Sequence, residues 1–328
     1  MKTRQLFALA AAALLLATAT PAQAQSYGLT SPIYELAVDN GFLASWQLMP
    51  LKTDLQRADL HGNVVKVMET RKWGELSGYG ITTTTITATF NEQGNLLKTV
   101  EPRTSFSSKK MADAVVEYEY ENGRLKKYIE QYEAEINSRL VPERHVHTLY
   151  YNEQQKPVKE IYQAYAYENG KWSEFAHSDE PAWTFTWDAQ GRLTDGIITN
   201  SYHAKFNEQG LVTEVRIGKL PPAKFRWDAQ GRCIGESSYM IDGMDEEVYT
   251  ETDRTISYND KGSIVKMVYT SYTCNSKWKR LKKVHTETFT AKYTYDAQGN
   301  WTKATVTSGT GKRAKAYVTI TRAITYGE

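Results

Sequence analysis

Trp187-Asp188-Ala189-Gln190-Gly191-Arg192-Leu193 returns further along the chain as Trp227-Asp228-Ala229-Gln230-Gly231-Arg232-Cys233. The shared phrase is an aromatic residue, Asp or Asn, two residues, Gly, one residue and an apolar residue. It recurs as Phe90-Asn91-Glu92-Gln93-Gly94-Asn95-Leu96, and again at residues 206–212, 258–264 and 295–301. Tyr120-Glu121-Asn122-Gly123-Arg124-Leu125 is a shortened copy. Tyr151-Asn152-Glu153-Gln154-Gln155-Lys156-Pro157 lacks the glycine, and Asp59-Leu60-His61-Gly62-Asn63-Val64 has the form of a first copy. Self-similarity of this kind marks a chain built by repetition.

The phrase describes a tight hairpin. A three-residue loop takes a type I turn and then one residue in the left-handed region, where glycine pays no steric penalty. The Asp or Asn before the turn accepts hydrogen bonds from the turn amides. This register sets each aromatic opposite the apolar residue two places after the glycine. The expected pairs are Phe90–Leu96, Trp187–Leu193, Phe206–Val212, Trp227–Cys233, Tyr258–Ile264 and Tyr295–Trp301. Phe185, Phe225, Ile256 and Tyr293 share their face, as period-two alternation requires. On the opposite face Asp188 meets Arg192 and Asp228 meets Arg232, as solvated pairs of little energetic weight.

A second set of turns falls between the first. Asn137-Ser138-Arg139-Leu140, Asn169-Gly170-Lys171-Trp172 and Asn275-Ser276-Lys277-Trp278 resemble one another, and residues 200–201, 218–222 and 242–243 occupy equivalent intervals. One return turn between each pair of glycine turns describes an all-β antiparallel meander of hairpins, about 18 strands in all. A flat sheet of that size would be about 80 Å wide. Open twisted sheets rarely pass about 10 strands without curling. The sheet is therefore expected to roll, aromatic face inward, into a curved, barrel-like or spiral shell. Cys233 follows a glycine turn and Cys274 adjoins a return turn, so about 30 Å of strand separates them. That is far beyond disulfide reach, and both thiols are expected to be free.

The aromatic-Asp-x-x-Gly-Arg-Leu phrase resembles the YD repeat of the Rhs family of secreted bacterial proteins. The closest copies are those at residues 187–193 and 227–233, and the likeness spans roughly residues 57–301. The Asn-Gly-Lys-Trp turn is similar to secreted repeat proteins of Bacteroidota. The resemblance implies a rolled β-shell. Large Rhs proteins follow theirs with a processing region and a toxin domain. Here the strand pattern continues to Tyr326, so a separate effector of that kind is not expected.

Residues 1–24 read as a secretory signal peptide. Lys2 and Arg4 precede an apolar run over residues 6–17, and Pro21-Ala22-Gln23-Ala24 supplies the small-x-small end. The run is shorter than the roughly 20 residues that span a bilayer. Residues 25–56 fall outside the repeat and are expected to cap one end of the sheet, with a short helix near residues 53–59. Residues 57–328 form the repeat domain. The whole chain carries 40 Lys and Arg against 38 Asp and Glu. Losing Lys2 and Arg4 balances them, so no general attraction to nucleic acid follows.

Chemistry is sparse. No nucleophile–base phrase, phosphate loop or zinc-protease helix is present, and no cofactor is expected. His145 and His147 share a strand face with Glu143. A His-x-His pair can hold a transition metal, but it lacks a third ligand, and an ordinary polar strand explains it as well. The acidic stretch at residues 242–247 lacks calcium-loop spacing. Lys277, Lys279, Arg280, Lys282 and Lys283 cluster beside Trp278 and suit an anion or the guarding of a sheet edge. Trp172 and Trp278 follow return turns and are the candidate ligand-binding residues, as sugar-stacking platforms. Charge on both faces of residues 125–136 argues against a lipid-spanning barrel. The expected function is an exported, non-catalytic binding or scaffolding surface at the cell envelope, with an envelope glycan or protein as partner. The alternative is a hydrolase acting on such polymers.

Overall fold

The structure, a computed structural model, describes residues 54–74, 83–103, 111–136, 139–177, 183–191, 193–197, 202–241, 249–311 and 314–328. The signal, most of the capping segment, Arg192, the Asn137-Ser138 turn and the acidic stretch at residues 242–247 lie outside them. Among the described residues one helical turn, α1 (Asp54–Arg57), precedes nineteen strands. These are β1 (Val64–Trp73), β2 (Thr83–Phe90), β3 (Leu96–Glu101), β4 (Ala114–Glu121), β5 (Arg124–Ile136), β6 (Arg139–Tyr151), β7 (Pro157–Glu168), β8 (Lys171–His177), β9 (Trp183–Trp187) and β10 (Leu193–Ile197). They continue as β11 (Tyr202–Phe206), β12 (Val212–Ile217), β13 (Ala223–Trp227), β14 (Cys233–Ile241), β15 (Tyr249–Tyr258), β16 (Ile264–Cys274), β17 (Arg280–Tyr295), β18 (Trp301–Ser308) and β19 (Lys315–Tyr326).

Every strand pairing is antiparallel, and β1 pairs with both β2 and β19, so the sheet closes on itself. β8 and β9 share one side of β7, β8 toward the return turns and β9 nearer the glycine turns. With β8 set aside, 18 of the 19 strands complete the ring. All six expected aromatic–apolar pairs are in register.

The turn physics holds in detail. At the first glycine turn the Gly94 amide donates to the Asn91 carbonyl, and the amides of Gln93 and Asn95 donate to Asn91 Oδ1. Gly94, Gly191, Gly210, Gly231, Gly262 and Gly299 all have positive φ. In the copy without glycine, Gln155 takes the left-handed place, at φ 62°. Three readings need correction. Gly62 has positive φ, but α1 precedes it instead of a strand, so residues 59–64 lead into β1 and do not form a hairpin. The shortened copy is a different turn: Asn122 and Gly123 both have positive φ, which makes a two-residue hairpin. Asn169-Gly170 repeats that geometry, whereas Trp278 itself sits at φ 59° in a longer turn, so the two return phrases share letters but not shape.

The buried face lines the interior in two belts. Nearest the glycine turns it is apolar and aromatic, with Phe90, Leu96, Leu149, Phe225, Ile256 and Trp301. One or two residues further along the strands it becomes charged, with Glu69, Arg71, Glu130, Glu143, His145, His147, Glu160, Glu236, Arg254 and Arg322. Residues 54–63 lie over the glycine-turn end. Leu55 N–H bonds Gly94 O, Asp54 Oδ2 accepts from the Leu96 amide and Tyr120 hydroxyl, Ser263 Oγ donates to Asp59, and Asn300 brackets the His61 backbone. The outward positions are largely polar. Examples are Thr83, Thr85, Thr87 and Thr89 on β2, Glu117, Glu119 and Glu121 on β4, and Thr319, Thr321 and Thr325 on β19.

Candidate functional site: an interior polar belt and an aromatic rim

Cross-strand register builds the most concentrated part of the interior belt. Tyr118 on β4, Tyr128 on β5, His147 on β6 and Tyr162 on β7 are successive partners, so their rings line up across four strands. Tyr128 stacks on His147 with centroids 4.1 Å apart and planes 15° from parallel. His147 Nδ1 lies 2.6 Å from Glu160 Oε1, which also accepts from the Tyr128 hydroxyl at 3.2 Å. One step toward the return turns, His145 Nε2 contacts Glu143 and the Tyr132 hydroxyl, and its Nδ1 contacts the Tyr162 hydroxyl at 2.6 Å. Burial and the neighbouring carboxylates Glu143 and Glu130 push the Tyr132 and Tyr162 hydroxyls well above the ordinary phenol range. Burial, Glu160 and Glu130 do the same to Tyr128.

This cluster is richer than an ordinary polar strand. Strand alternation puts Glu143, His145 and His147 on one face, but only closure of the sheet makes that face the interior. A carboxylate that holds His147 through Nδ1 leaves Nε2 as the working nitrogen. That atom is buried and, among the described residues, has no hydrogen-bond partner. Among the described residues no three His, Cys, Asp or Glu side chains converge on a point that would hold a metal ion.

Two further charged groups sit on the interior wall. Arg254 Nη1 donates to Glu236 Oε2 at 2.9 Å, and burial raises the Glu236 carboxyl against the pull of Arg254. Glu69 binds Arg71 and Arg322 together, and the Arg322 guanidinium lies 3.5 Å from the centroid of the Trp301 ring. The Arg254–Glu236 and Arg322–Glu69 pairs were not visible in the sequence, because their partners lie on different strands.

The two sequence-predicted tryptophans lie on the outer face at the return-turn end, on separate hairpins. Trp172 pairs in register with Tyr167, its ring 5.3 Å away, and both are exposed. Trp278 is half-buried between Tyr239 and Tyr249, at centroid distances of 5.4 and 4.7 Å. Below it Arg280 binds Glu251 through Nε and Nη2 and also reaches Asp253. The Glu251 hydrogen bond is the first cause that lifts the Arg280 pKa. The rim also exposes Phe175, Met240, Ile241, Leu281 and Val284. Cys233 faces Trp227 inside the barrel, Cys274 is buried on the other face, and both are free.

No protein-family model matches the chain, and no curated protein sequence does. Among solved structures it is similar to a porin-like protein from Bacteroides vulgatus, at 10% identity and a TM-score of 0.29, over 80% of this chain and 98% of that one. A porin-like protein from Bacteroides uniformis aligns at 12% identity and 0.28, over the same shares. The Photorhabdus luminescens Tc holotoxin pore aligns at 10% identity and 0.22, over 73% of this chain and 15% of its own. These are loose likenesses among β-rich bacterial proteins and assign no activity.

Proposed function

We propose that this is an exported, non-catalytic barrel whose return-turn end is a binding surface at the cell envelope, for a glycan or a protein of that compartment. The observation that carries the reading is the Trp172–Tyr167 pair, two large aromatic rings left exposed on the outer face. Exposed aromatics grouped at one end of a molecule mark interaction sites. The signal-like residues 1–24 support export to the periplasm, cell surface or medium. The polar outward positions support a barrel that does not span lipid. The YD-like phrase supports an Rhs-like shell.

The hydrolase alternative draws on His147, whose Nε2 has no hydrogen-bond partner among the described residues while Glu160 holds Nδ1 and orients the ring. A glycan array and a pull-down with residues 25–328 separate the two readings. Binding that falls in Trp172→Ala while the fold is kept supports the rim. Cleavage of a polymer that is lost in Glu160→Gln supports the hydrolase.

A further inference from the structure

The hairpin of β16 and β17 stands higher than its neighbour. β18 ends at Ser308, opposite Phe289, while β17 runs on to Arg280. Among the described residues no strand pairs with residues 280–287 on the β18 side, so that stretch is an unpaired strand edge, irregular at Leu281 and Val284, where its register against β16 shifts. Residues 280–286 are exposed, with Leu281 at 65% and Val284 at 59%, while Glu287 is half-buried and accepts from Ser308. Arg280 is engaged by Glu251 and Asp253. Lys277, Lys279, Lys282 and Lys283 make no ion pair among the described residues.

An open strand edge takes an extended chain by hydrogen bonding, and side chains alternating along it set the preference. Charged lysines also serve to keep such an edge unoccupied. Which role dominates depends on the occupant's charge: four unpaired cations repel a basic or neutral strand and attract an acidic one. Leu281 and Val284 add apolar contacts. We infer that residues 280–287 of β17 form a docking edge for an extended acidic peptide segment of a partner protein, which adds to the sheet as a further strand. This surface is separate from the Trp172–Tyr167 pair and stands or falls without it.

The test uses residues 25–328 and a short peptide alternating Glu and Val. The same peptide N-methylated at every second residue keeps the charge but cannot bond the edge, and phosphatidylglycerol vesicles probe a lipid surface. Titration calorimetry should show the acidic peptide binding, about tenfold or more weaker after N-methylation or in Lys282→Glu/Lys283→Glu. Amide exchange at residues 280–287 should slow in its presence. Equal binding of the N-methylated peptide, vesicle binding without peptide binding, or no peptide binding at all would overturn the inference.

Discussion

Glu69 on the first strand and Arg322 on the last are directly opposite one another, and Arg322 Nε meets Glu69 Oε2 at 2.8 Å with both side chains fully buried. The pair spans the seam where the two ends of the meander join. Arg71 holds the other carboxylate oxygen at 2.7 Å, and Trp301 covers the Arg322 guanidinium. Buried charges persist only when paired and hydrogen-bonded. This pair therefore requires the seam to be shut.

Removing Glu69 takes away the carboxylate that two buried cations share. Glu69→Ala should cost about 3–5 kcal/mol in denaturant unfolding. Glu117→Ala removes the exposed partner of Lys98 and should cost less than about 1 kcal/mol. Comparable losses in the two variants would contradict the burial assigned to the seam.

The turns predict opposite signs at equivalent places. Gly299 has φ 88° and open space where a Cβ would sit, so Gly299→Ala should cost about 1 kcal/mol from backbone strain alone. A Cβ on Gly94 would stand 2.8 Å from Leu55 Cδ1, so Gly94→Ala should cost more, and Leu55→Ala should narrow the difference. Gln155 already occupies that conformation without being glycine, so Gln155→Gly should raise stability by about 0.5–1 kcal/mol. Thermal midpoints decide all three.

Tyr128, Tyr132, Tyr162 and Tyr258 are held protonated by burial. Their folded-state pKa lies above the unfolded value, so the stabilisation is complete below about pH 10 and is lost as pH rises. Absorbance at 295 nm should show part of the 22 tyrosines ionising only as the protein unfolds. Tyr162→Phe should shrink that delayed fraction. Asp228 behaves in the opposite sense. Burial pulls it upward, but the Arg232 amide and guanidinium and the Gln230 amide outweigh it and hold the carboxyl below its usual range. Its contribution is present at neutral pH and disappears as the solution is acidified through that lowered value.

Burial also pushes the Cys233 thiol up to about 11. Native protein should react slowly with a thiol reagent near neutral pH, and two thiols should titrate in denaturant. An intact mass lower by two hydrogens would contradict the free pair.

The sequence carried the hairpins and their register because both are local. Asn91, Gly94 and the Phe90–Leu96 pair lie within one turn, and period-two alternation does the rest. Closure was not legible, since nothing near Glu69 names Arg322 as its neighbour. For the same reason Glu143, His145 and His147 read as an ordinary polar strand: alternation assigns His147 and Glu160 to faces, but only the ring decides that the face is dry. Trp172 and Trp278 looked equivalent by spacing. Their turns differ, and Tyr239, which shields Trp278, comes from another hairpin.

Closure is the central claim, and a cross-link across the seam tests it most directly. Thr70 and Thr321 are outward-facing partners on β1 and β19. In a Cys233→Ser/Cys274→Ser background, Thr70→Cys/Thr321→Cys places two thiols across neighbouring antiparallel strands, where Cα separations suit a disulfide. Oxidation of the folded monomer should give an intramolecular bond, seen as a loss of two hydrogens by intact mass. Free thiols, or bonds only between molecules, would mean that the two ends of the sheet do not meet.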